Sequence, residues 1–69
     1  MTSLDDRLLD AHARGDGAAL VALYTQAADE AGSVDAACFY LTHAYIFGLE
    51  RDDPAVPALH ARLLAHGRV

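Results

Sequence analysis

The sequence predicts an all-α domain of four helices, arranged as two antiparallel helical hairpins. Three observations carry this expectation. Apolar residues recur at helical spacing in four blocks. The blocks are separated by short breaks rich in Gly, Ser, Asp and Pro. No alternating apolar–polar run persists long enough to make a strand. With 69 residues the chain is expected to form one domain, spanning 1–69.

The first helix is expected over 4–14. Ser3 stands where an N-cap belongs, Asp5 and Asp6 lie in the first turn where the helix dipole favours anions, and Arg14 lies in the last. Leu4, Leu8 and Ala11 form its apolar stripe with Leu9 beside them, and Asp10 and Arg14 have i,i+4 spacing. Gly15-Asp16-Gly17 reads as a turn in which Gly15 takes the left-handed position and Asp16 caps the second helix, expected over 17–31. That helix should bury Leu20, Leu23, Tyr24, Ala27 and Ala31, widened by Val21 and Ala28, and end at Gly32.

The third helix, from Ser33 as N-cap through 34–50, is apolar on nearly every side. Val34, Cys38, Leu41, Tyr45 and Leu49 make one stripe, and Phe39, Ile46 and Phe47 make another. A helix hydrophobic all round reads as the buried centre of the domain. Its Thr, His and Tyr side chains and its length argue against a membrane span. Gly48, inside its last turns, suggests a close helix crossing, since glycine there costs about 1 kcal/mol against alanine. The fourth helix is expected to be capped by Asp53, to begin at Pro54 and to stop at Gly67, with Val56, Leu59, Leu63 and Leu64 facing inward.

Charge excludes several function classes. Ten acids face five basic residues, giving a net charge of -5, and there is no lysine. The arginines, at positions 7, 14, 51, 62 and 68, are scattered. No basic patch exists to neutralise phosphates, so neither nucleic acid nor an anionic membrane is an expected partner. The opening MTSLDDRLLD has no basic region followed by an apolar run, so no secretory leader is expected. The single Cys38 forbids an internal disulfide and reads as a buried, reduced thiol suited to the cytoplasm. Fifteen alanines with no Lys or Asn suggest a GC-rich bacterial source.

Chemistry-bearing patterns are missing. His12, His43, His60 and His66 form no HExxH and no i,i+4 pair, so no metal is expected. Glu50, Asp52 and Asp53 lack the spacing of a calcium loop. No nucleophile stands at readable distance from a base, and no glycine loop would cradle a phosphate, so neither enzyme activity nor a cofactor is expected.

The two halves echo each other. Leu20, Tyr24, Ala28 and Gly32 recur at an offset of 35 as Ala55, Leu59, Leu63 and Gly67, near the period of tetratricopeptide repeats. Tyr24, Ala27, Ala28, Gly32, Ala37, Leu41, Tyr45 and Gly48 also match the order of a Sel1-like repeat, with Thr42 replacing the usual glycine and one extra residue before Gly32. The chain therefore resembles a tetratricopeptide-like or Sel1-like helical repeat protein. The resemblance implies a right-handed stack whose first helices line a face that binds peptides or partner proteins. Carried onto helices 1 and 3, it implies a binding face of Leu9, His12, Phe39, His43, Ile46 and Phe47, near Asp5. The Lys and Asn of the carboxylate clamp seen in chaperone-binding repeats are absent. The expected function is a small non-catalytic protein-interaction module, with a homodimer through the same face as the alternative.

Overall fold

The computed structural model, which describes residues 2–69, contains four helices: α1 (Leu4–Arg14), α2 (Gly17–Glu30), α3 (Val34–Arg51) and α4 (Val56–Ala65). Among the described residues there is no strand, so the all-α expectation holds. Consecutive helices fold back on each other through short loops, and the packed pairs are α1–α2, α2–α3 and α3–α4. Backbones approach only between neighbours in sequence, while side chains also join α1 to α3 and α2 to α4. The Cα envelope is accordingly slab-like, 33 × 28 × 13 Å.

The caps explain where the helices begin and end. Ser3 accepts the Asp6 N–H at 3.1 Å, Asp16 accepts the Ala19 N–H at 3.1 Å, and Ser33 accepts the Ala36 N–H at 3.1 Å. Each satisfies a donor that the first helical turn leaves orphaned. Gly15 sits in the left-handed region (φ 64°), where its N–H and that of Asp16 close the end of α1 on the carbonyls of His12 and Ala11. Gly67 (φ 69°) ends the chain's last turn in the same way.

Three boundaries differ from expectation. Helix α2 stops at Glu30 with Ala31 extended as its C-cap, one residue early, and Gly32 does not adopt a positive φ. Helix α3 runs to Arg51, and Asp52 takes the left-handed C-cap (φ 53°) that glycine usually fills. Helix α4 starts at Val56, not Pro54, and its N-cap Ala55 contributes no side-chain bond. Asp53 instead accepts the Ala55 N–H at 2.9 Å and pairs with Arg51. Proline at position 54 thus sits in a turn, and Pro57 falls in the first turn of α4, where its missing N–H costs nothing.

The core lies in the plane of the slab. Val21 and Ala28 of α2, Cys38, Leu41 and Ala44 of α3, and Leu59 and Leu63 of α4 form one cluster. Ala11 of α1 with Leu20 and Leu23 of α2 forms a second. Leu41 and Leu63 are the largest side chains almost wholly removed from water, each worth about 1.5–3 kcal/mol relative to exposure. The free thiol of Cys38 is buried, as its apolar neighbours suggested. Gly48 allows a close approach: a Cβ there would lie 2.9 Å from Cγ2 of Val56.

Helix α3 is not the uniformly buried centre that its composition suggests. It buries one narrow stripe, Cys38, Leu41, Ala44 and Gly48, and leaves Val34, Phe39, Ile46 and Leu49 exposed. Helix α2 carries more buried side chains than α3 although it is shorter. The reason is topological. Helices α2 and α4 both pack on the side of α3 that bears Cys38, Leu41, Ala44 and Gly48, so its opposite apolar side is left to solvent. Leu64 of α4, also expected inside, is likewise exposed.

Candidate functional site

Tyr24 organises one broad face of the slab. It projects from α2 between α1 and α3, and three aromatic rings of α3 meet it. His43 stacks on it with centroids 5.0 Å apart, Phe47 lies nearly parallel at 5.8 Å, and Tyr40 tilts against it at 6.3 Å. From α1, His12 Nε2 lies 2.9 Å from the Tyr24 hydroxyl, and the His12 ring stands edge-on to Phe47 at 5.6 Å. Offset and edge-to-face pairs of this kind add about 0.5–1.5 kcal/mol each beyond the area they bury.

The orientation of His43 is fixed by its own helix. Its Nδ1 lies 2.8 Å from the carbonyl oxygen of Phe39, one turn back. A carbonyl can only accept, so Nδ1 carries the proton and donates. The ring is thereby held against Phe39, at 4.5 Å, and over Tyr24. Phe39 itself is 59% exposed and Ile46 is 48% exposed. An open cavity of about 460 Å³ adjoins Phe39 and His43, bordered by Asp35, Cys38, Thr42 and Arg68. There the Asp35 carboxylate accepts a hydrogen bond from Arg68 at 2.5 Å and pushes the guanidinium pKa up.

Four of the six expected site residues therefore meet: His12, Phe39, His43 and Phe47. Ile46 is exposed on the same helix, one turn from Phe39's partner His43, but joins no ring contact. Leu9 stands apart from the rings. It is 68% exposed, and it lies two residues from Ala11, whose side chain is buried against α2. Leu9 joins no ring contact, but it lies three residues before His12, about 60° from it around α1, and one turn after Asp5. Phe47 has a double role, since it also packs against the Ala11, Leu20 and Leu23 cluster. The residue that sequence reasoning missed is Tyr24, assigned there to the buried stripe. Its hydroxyl was the available signal, because a tyrosine in an alanine-rich stripe needs a polar partner and so favours the edge of a core.

Helices 1 and 3 do not share this face by packing together. Helix α2 separates them, and they meet through His12 and Phe47 over its surface. Among the described residues no group of three or more His, Cys, Asp or Glu side chains converges to hold a metal ion. No helix among them is long and apolar enough to cross a membrane.

Comparison with known proteins finds no match: no family model, no curated protein and no solved structure aligns with the chain. The likeness to tetratricopeptide and Sel1-like repeats thus rests on the residue pattern alone.

Proposed function

We propose that this chain is a small protein-interaction module that binds a partner protein or peptide through the aromatic face of α1, α2 and α3. The observation that carries this reading is the exposure of Phe39 and Ile46 beside an ordered ring cluster. A large apolar side chain held in solvent by rigid neighbours is pre-organised for contact, because little further ordering is needed on binding. A hydrogen bond between His12 and the Tyr24 hydroxyl, and one from His43 to the Phe39 carbonyl, orient the rings below it.

Side-chain chemistry on this face suits recognition better than catalysis. Its histidines are engaged, His12 with the Tyr24 hydroxyl and His43 with the Phe39 carbonyl. The test is photocrosslinking in the native cell, with benzoylphenylalanine replacing Phe39. A discrete crosslinked partner is expected, lost when the same group is placed at exposed Ala22, in the groove between α1 and α2. A Phe39→Asp variant should fold normally and abolish binding, whereas Phe47→Asp should lower stability because Phe47 also supports the second core cluster. Equal crosslinking from both positions would remove the aromatic face as the binding surface.

A further inference from the structure

Two exposed carboxylates outside the ion pairs border the aromatic face. On α1, Asp5 lies seven residues before His12, so it sits about 20° from it around the helix and two turns below. His12 contacts Tyr24 and Phe47, which places exposed Asp5 on the aromatic face. On α3, Glu50 lies seven residues after His43 and is likewise exposed on the same side. The aromatic cluster is thus flanked by a carboxylate from each helix.

Four of the five arginines are held in ion pairs, Arg68 among them at the edge of the Phe39–His43 cavity. Arg14 pairs with Asp10 and Asp16, Arg51 with Asp53, Arg62 with Asp29, and Arg68 with Asp35. Arg7 and Arg14 line the groove of about 800 Å³ between α1 and α2, together with Ala22 and Gln26. That groove opens on the opposite side of α1 from His12, since positions 7 and 14 lie about 140–160° from position 12 around the helix. Asp5 and Glu50 take part in none of the ion pairs among the described residues.

Resting on the interaction reading above, we propose that the partner presents a cationic amphipathic segment. Its apolar residues pack on Phe39 and Ile46, and its Lys or Arg side chains reach Asp5 and Glu50. Cations also gain from the exposed ring face of Phe39. Charge complementarity decides among occupants. A second copy of the chain would bring together two chains of net charge -5, each with unpaired carboxylates on this face. An acidic peptide or an anionic membrane would meet the same repulsion.

The test is fluorescence polarisation of the full chain with two labelled helical peptides of one apolar pattern, one built from Leu and Lys and its twin from Leu and Glu. The Leu/Lys peptide should bind saturably and more weakly as salt is raised, and the Leu/Glu peptide should not bind. The double variant Asp5→Asn/Glu50→Gln should weaken binding about three- to tenfold, the range of two partly exposed charge pairs. The control Asp6→Asn/Glu30→Gln makes the same change in net charge off the face and should leave affinity unchanged. Equal binding of both peptides, or equal loss in both double variants, overturns the cationic assignment; if Phe39→Asp still abolishes binding, the interaction face itself stands. Self-association that Phe39→Asp disrupts would replace the cationic partner with a second copy. Failure of both peptides to bind overturns the assignment, and joined to an absence of crosslinks at Phe39 it removes the interaction reading as well.

Discussion

Gly48→Ala tests the close approach of α3 to the start of α4, and two opposing effects set its sign. Alanine in a helix interior is favoured over glycine by about 1 kcal/mol, because glycine loses more backbone freedom on folding. Against this, the new Cβ would lie 2.9 Å from Cγ2 of Val56, where ordinary contact begins at 3.4 Å. Its other neighbours, Asp53 Cβ at 3.8 Å and Val21 Cγ2 at 3.9 Å, are comfortable. The strain therefore falls on one methyl group of a β-branched side chain that has little rotamer freedom. Val56 is the first residue of α4, so relief requires moving the start of that helix. Overpacking of this kind costs about 1–3 kcal/mol. The net expectation is destabilisation by about 0–2 kcal/mol, which in a domain of this length lowers Tm by up to roughly 16 °C. The decisive measurement is the double-mutant cycle with Val56→Ala, followed by urea unfolding and circular dichroism. Without the Val56 methyl groups the clash is gone, and Gly48→Ala should become stabilising by about 1 kcal/mol. If Gly48→Ala stabilises both backgrounds equally, α3 and α4 do not approach as described.

Two further perturbations probe the core and the α1–α2 turn. Leu41→Ala should cost about 2–5 kcal/mol, because Leu41 is 1% exposed and the lost transfer energy adds to the cavity left behind; a Tm change of only a degree or two would place it outside the core. The Asp16 carboxyl is held below the usual carboxylate range, first by the Ala19 N–H and then by Arg14. Its ionised form therefore favours the folded state above the ordinary carboxyl pKa, and this stabilisation is lost as pH falls through the lower folded value. Asp16→Asn keeps a capping side chain but cannot titrate, so the stability difference between wild type and variant should shrink below about pH 4. A difference that stays constant through that range would show that the carboxylate's charge contributes nothing.

Local features of this chain were legible because their causes are local. Ser3, Asp16 and Ser33 cap the helices they precede, since a side-chain oxygen three residues from an orphan N–H has few other options. Gly15 and Gly67 take left-handed positions for an equally local reason. Gly48 signalled a close crossing from composition alone. The misplaced start of α4 is also local, but there two readings of Asp53 competed. As an N-cap it would serve Pro54; in the fold it closes a turn onto Ala55 and holds Arg51.

What the amino-acid pattern determined by itself was therefore the number and class of the elements, their approximate ends, and the two apolar stripes of α3. Periodicity records which residues share a side of a helix, and that needs no partner. Which stripe would be covered was decided only by tertiary structure. Both stripes of α3 are equally apolar, but α2 and α4 approach it along the side bearing Cys38, Leu41, Ala44 and Gly48, where small residues let backbones come close. Phe39 and Ile46 are left outside because a slab of four helices has no second layer to cover them. Tyr24 joins them at that surface because α2, lying between α1 and α3, is the one element from which a side chain reaches both His12 and His43.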